Sequence, residues 1–231
     1  MNGILENSLF FGVTLSIATF ILGTIVKKKC NFFLFNPLLI AIVLTISTLS
    51  VLHIEYASYN EGAKYLTYLL TPATVALAIP LYEQLALLKK NLTAILIGIA
   101  SGVICSGLSI FVMAILFGLT HTQYVTLLPK SITTAIGIGL SAELDGYVAI
   151  TVSAIIFTGL IGNIAGNLLC KILHIKNPIA KGIAIGTATH VMGTSKAMEV
   201  GEIEGAMSSL SVAVAGIMTV GAAILFKDLI V

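Results

Sequence analysis

Arginine is absent from this 231-residue chain, and charge of either sign is scarce. All twelve basic residues are lysine, ten are acidic, and charged residues make up 10% of the whole. Without arginine there is no planar fork for bidentate readout of bases or phosphates, which argues against a nucleic-acid surface of that kind, and no nucleic-acid partner is expected. Cysteine is nearly as sparse. Cys30, Cys105 and Cys170 are scattered, odd in number and without a CxxC pair. That spacing argues against a disulfide framework or a zinc site, and no metal or other cofactor is expected. The first apolar run, residues 8–26, follows Glu6 rather than lysine and exceeds a signal-peptide core in length. It is expected to be a membrane helix and not a cleaved leader.

What the chain has in quantity is apolar surface. Hydrophobic residues reach 58% and mean hydropathy is +1.07, against about 45–50% apolar in an ordinary soluble domain. A soluble fold of this size has too little polar surface here to cover itself, whereas lipid covers apolar side chains at no cost. In a bilayer every backbone N–H and C=O must be paired internally, which leaves helices or a closed barrel. The apolar stretches do not alternate as barrel strands do, so the predicted class is all-α and polytopic.

About seven to eight membrane segments can be marked, near 8–26, 32–52, 65–82, 91–118, 130–142, 147–170, 179–198 and 206–226. The stretch after Lys130 is short: twelve uncharged residues precede Glu143, about 18 Å of helix, or half a membrane. A broken or re-entrant helix is expected there. The lysine clusters at 27–29, 89–90 and 171–181 then share the cytoplasmic side by the positive-inside rule. This places the N-terminus outside and Lys227 inside. Glu55, Glu61, Glu199, Glu202 and Glu204 would be outside.

Residues 1–231 read as a single integral membrane domain. Asn36-Pro37 and Glu61-Gly62-Ala63 recur as Asn177-Pro178 and Glu204-Gly205-Ala206, at an offset of about 141 to 143 residues. The pattern suggests repeat halves 1–90 and 147–231 joined by 91–146, an arrangement transporters use to build a site where repeats meet.

Polar chemistry concentrates at three interruptions. They are residues 71–80 with Pro72, Ala73 and Thr74; residues 129–134 with Lys130, Ser131, Thr133 and Thr134; and residues 186–194 with Thr187, Thr189, His190, Gly193 and Thr194. Proline and glycine break helices, and freed backbone groups are tolerated in a membrane beside other protein or water. Half-helix N-termini, hydroxyls and one lysine suit a small carboxylate. These twelve residues are the candidate substrate-binding set. An unperturbed histidine titrates near neutrality, which makes His190 the candidate carrier of a coupling proton; sodium is the other candidate ion.

The runs PATVALAIPLY (72–82), PKSITT (129–134) and GTATHVMGTSKAMEVGEIEGAMSS (186–209) resemble the signature stretches of the LrgB/CidB family of antiholin-like membrane proteins. Thr71, Ala135 and Lys196 depart from the glycine, proline and arginine usual at those positions. The resemblance implies a protein of the bacterial cell membrane working with a small LrgA/CidA-type partner, and kinship with the plastidial glycolate/glycerate transporter and bacterial pyruvate-uptake systems. Two functions follow from it. One is transport of small monocarboxylates; the other is antiholin-like regulation of murein hydrolase export through hetero-oligomerisation. A homo-oligomer is also expected. Enzymatic activity is not: Asp145 and Asp228 lie at segment ends and no serine stands in a nucleophile motif.

Overall fold

The computed structural model describes residues 10–30, 35–69, 72, 75–76 and 78–230. The described residues are overwhelmingly helical, and no strand occurs among them. The chain divides into two compact units, Met1–Ala76 and Leu77–Val231. Among the described residues four helices are long and apolar enough to cross a membrane: Phe11–Lys29, Leu85–Phe117, Val148–Ile172 and Glu202–Leu229.

In the first unit α1 (Phe11–Lys29) pairs with α2 (Pro37–Leu52), and α3 (Tyr56–Ala63) leads into a 3-10 turn, Lys64–Leu69. Gly23 meets the Pro37 backbone, and Thr19 bonds the Thr45 hydroxyl at 3.1 Å, so α1 and α2 run antiparallel. Gly12 lies against Tyr59 and Ala63 of α3, where any side chain would collide with backbone. Asn36 caps α2 through Leu38 N–H, with Pro37 in the first turn, where its missing donor costs nothing.

The second unit holds α4 (Ala78–Glu83), α5 (Leu85–Phe117), α6 (His121–Leu127), α7 (Thr134–Glu143), α8 (Val148–Ile172), α9 (Pro178–Val200) and α10 (Glu202–Phe226). Helices α5 and α10 run in the same direction: Ile95 clusters with Met207, and Gly107 faces the Phe226 ring. Helix α8 runs the other way, as Gly166 against Ile185 and Gly162 against Thr189 show when α9 is followed from its start.

Helix α9 does not cross. His190 sits at φ 46°, ψ −146°, and the chain reverses there. A Cβ on Gly193 would come 3.0 Å from Ile185 Cγ2, although eight residues of straight helix span about 12 Å. Ala197 shares a buried cluster with Ile185 and Cys170, and both arms meet the start of α10: Gly182 at Glu204, Met198 at Gly205. The arms, Pro178–Thr189 and Val191–Val200, therefore begin and end at one end of the bundle. The stretch 179–198, expected as a crossing, is a hairpin.

A second hairpin enters from the other end. Its first arm is α6, opened by a Thr120–Gln123 capping box; its second is α7. His121 Nδ1 lies 2.6 Å from the Ile230 carbonyl and Tyr124 Oη donates to the Phe226 carbonyl at 2.8 Å, fixing this hairpin's base beside the C-terminal end of α10. Its tip is residues 128–133, and Gly137 and Pro129 close together beside Ile155. The half-length expected for 130–142 is thus realised. Pro129 lies in the turn, and Thr133 is the N-cap of α7.

The hairpin at α9 also corrects the expected sidedness. Lys181 Nζ lies 4.0 Å from Glu204 Oε1, so the acidic stretch Glu199–Glu204 shares the end that carries Lys89, Lys90, Lys176 and Lys181. Lys227 is at the opposite end, beyond the full length of α10.

Candidate functional site

The tip of the α6–α7 hairpin brings one cation inside the second unit. Lys130 Nζ donates to Ser131 Oγ at 3.1 Å and to Ser106 Oγ on α5 at 3.4 Å. Those two hydroxyls are 3.3 Å apart. Among the described residues no carboxylate pairs with Lys130, whereas Lys64, Lys181 and Lys196 each have one. An ammonium held half-buried against two neutral hydroxyls has donor capacity left for an anion.

This lysine lines a crevice of about 820 Å³ between α5 and the first arm of α9. One wall carries Gly98, Ser101, Gly102, Cys105, Ser106 and Ser109 of α5, small residues at three- and four-residue spacing. The other wall includes Ile183, Ala184 and Thr187, and the lysine-rich end is marked by Asn91 and Asn177. A Cβ on Gly102 would lie 2.7 Å from Thr187 Cγ2, so the two walls approach at that level.

Thr187 is the informative hydroxyl. Its side chain is buried, and its Oγ1 has no hydrogen-bond partner among the described residues. A buried polar atom left bare costs about 1–3 kcal/mol, so such an atom facing a cavity marks a place where water or ligand belongs. Ser106, Ser131 and Thr187 also line a smaller, more enclosed pocket of about 20 Å³, just large enough for one water. Its far wall is Leu128, Thr219, Ala222, Ala223 and Phe226. The three hydroxyls stand between the two cavities.

Other members of the expected set serve the α9 turn. His190 Nε2 lies 2.9 Å from the Ile155 carbonyl of α8, and its ring fills the space beside Gly159. Thr189 Oγ1 donates to the Ile185 carbonyl at 2.6 Å, and Thr194 Oγ1 donates to the His190 carbonyl at 3.0 Å while bonding Ser208 at 2.8 Å. Gly193 allows the arms to close. His190 lines neither cavity. Thr133 and Thr134 open α7 without a side-chain cap. Pro72 is exposed in the first unit; Ala73 and Thr74 lie outside the described residues. The crevice thus gathers Lys130, Ser131 and Thr187 from the expected set and adds Ser106. The small-residue stripe of α5 was the signal for Ser106: it is the one face of that helix where glycine, serine and cysteine replace leucine and isoleucine.

Residues 16–229 match the LrgB-like family. The chain belongs to that family. It is 42% identical over 212 residues to the antiholin-like protein LrgB of Bacillus cereus (strain B4264), covering 91% of this chain and 92% of the relative. The match to the antiholin-like protein LrgB of Bacillus anthracis (strain A0248) has the same identity and coverage. No solved structure matches. Membership extends over both units, so the hairpins and the crevice fall within the matched residues of this LrgB-like chain.

Proposed function

We propose that this chain is an antiholin-like protein of the bacterial cell membrane, a multi-pass regulator of murein hydrolase export and lysis. The observation that carries the proposal is 42% identity across 91% of the chain to proteins named antiholin-like LrgB. On this reading it is a single integral membrane domain without enzymatic activity, and it acts by hetero-oligomerising with a small LrgA/CidA-type membrane protein or with further copies of itself. Deleting the gene and restoring it tests this: autolysis and secreted hydrolase activity should change on deletion and return on complementation. Unaltered lysis in both strains removes the proposal.

A second reading is favoured by a specific observation, the Lys130 crevice. A cation, three hydroxyls and walls of small residues suit a compact monocarboxylate such as pyruvate, glycolate or lactate. Transport of that class, coupled to protons or sodium, would use the crevice as its binding site. Six lysines, 89, 90, 171, 176, 181 and 196, group toward one end of the second unit and Lys227 at the other, so the crevice mouth near Asn91 and Asn177 faces the cytoplasm by the positive-inside rule. Uptake of labelled pyruvate or glycolate by proteoliposomes, with and without the small partner, separates the readings. Saturable, gradient-dependent uptake supports transport. Its absence with the lysis phenotype intact leaves the regulator alone.

A further inference from the structure

The second unit repeats one pattern with opposite sense. Helix α5 crosses and is followed by the α6–α7 hairpin; α8 crosses back and is followed by the α9 hairpin; α10 crosses last. The first hairpin is based at the end of the bundle holding Phe226 and Ile230 and the second at the end holding Glu202 and Glu204. Their tips converge on one residue of α8: the Ile155 carbonyl lies against His190, and its side chain lies beside Gly137 and Pro129's turn. We infer that residues 85–143 and 148–200 form an inverted pair, and that the pair provides access to the Lys130 site from both sides of the membrane in turn. This inference rests on the transport reading for its physiological use.

Two equivalent places in this pair differ. Between α5 and the first arm of the α9 hairpin the structure is open, as the crevice. The equivalent place, between α8 and the arms of the α6–α7 hairpin, is shut. There Thr151 Oγ1 donates to the Thr126 carbonyl at 2.8 Å and bonds Ser141 Oγ at 2.7 Å, and Tyr147 N–H donates to Thr126 Oγ1 at 2.8 Å. Thr126, Ser141 and Thr151 are all buried. Beyond the three hydroxyls the enclosed pocket ends at Leu128 and Phe226, on the same shut side. In an inverted pair the two halves can exchange these arrangements, since a two-fold rotation in the membrane plane carries the conformation of one half onto the other. The counterpart state closes the α5–α9 crevice at Gly98 and Gly102 and parts Thr151 from Thr126 and Ser141, exposing Lys130 to the end that carries Phe226.

Thiol labelling in oriented membrane vesicles tests this on the full chain. With Cys30→Ser and Cys170→Ser, native Cys105 reports the crevice. With all three cysteines replaced by serine, Thr151→Cys reports the shut side, and Ser141→Cys is the second variant should that one fold poorly. A membrane-impermeant maleimide should modify Cys105 from the lysine-rich face and the Thr151→Cys or Ser141→Cys thiol from the opposite face. Adding pyruvate or glycolate should change the two labelling rates in opposite directions, by severalfold. Vesicles that take up either acid while both shut-side thiols stay unreactive would overturn the inverted-access inference and leave transport standing. Labelling from both faces without any uptake would sustain two-sided access and remove the transport reading instead.

Discussion

His190 Nε2 lies 2.9 Å from the carbonyl of Ile155, thirty-five residues away on α8, and this bond holds the reversal of α9 in place. His190 is one of the non-glycine residues with positive φ, and its φ 46°, ψ −146° belongs to a region that favours glycine. The histidine accepts that strain because its ring has a buried partner. His190→Ala keeps the strain and loses the bond, so the detergent-solubilised protein should lose about 1–3 kcal/mol against denaturant. His190→Gly loses the bond but relaxes the backbone, and should be milder by about 1 kcal/mol. Equal loss in both variants would show that the backbone at this turn carries no strain.

The hairpin arms seat against α8 only because glycines face them. An added Cβ on Gly162 would overlap Thr189 Cγ2, whereas one on Gly139 meets nothing within 4 Å. Gly162→Ala should therefore destabilise by about 1–3 kcal/mol through overpacking. Gly139→Ala, in the interior of α7, should be neutral or stabilising by up to about 1 kcal/mol, from helix propensity. Thermal unfolding of the two variants side by side checks the difference; similar melting temperatures would refute the packing described for α8 and α9.

Thr187→Val separates stability from binding. The hydroxyl has no partner among the described residues, so an isosteric valine removes a bare polar atom and should leave the fold as stable as before or slightly more so. Binding of pyruvate or glycolate should weaken by about tenfold, the worth of one hydrogen bond near 1.4 kcal/mol. A stable variant with unaltered affinity would show that Thr187 faces solvent and not ligand.

Lys130→Gln keeps a donor but removes the charge. Charge-assisted bonds contribute about 1.5–3 kcal/mol, so the apparent affinity for a small carboxylate should fall at least tenfold while membrane insertion is retained. Lys130→Arg should recover part of the loss, limited by a bulkier head between Ser106 and Ser131. Uptake or binding in proteoliposomes reads both. Wild-type affinity in the glutamine variant would displace Lys130 from the site.

Phe226 closes the small pocket, and its ring lies where a Cβ on Gly107 would come within 2.9 Å. Phe226→Ala removes the largest apolar group of that wall. Vesicles carrying the variant should leak small anions faster than wild type, by severalfold in an efflux assay. Unchanged efflux would mean that the barrier lies elsewhere.

Much of this protein is legible in its sequence. The helical membrane class follows from composition, because a chain so poor in charge has no other solvent and lipid admits few backbone arrangements. The half-length of 130–142 follows from counting residues between Lys130 and Glu143. The polar breaks were visible as well, since threonine and glycine runs stand out in apolar sequence. Ser106 was less legible: it belongs to a stripe whose partner wall lies more than seventy residues away, and only packing shows which wall a helix face meets.

By itself the sequence determined what the chain must do locally: bury apolar segments in lipid, start α9 at the Asn177-Pro178 cap, and break where side chains are small or polar. Only the tertiary structure decided that α9 turns back at His190, that Lys181 and Glu204 share one end, and that Lys130 meets Ser106 rather than a carboxylate. The physical reason is that hydropathy and propensity act through near neighbours. Direction of travel and the meeting of distant side chains depend on close approach between helices, settled here by glycines at Gly162, Gly182 and Gly193 whose missing side chains leave room for another segment.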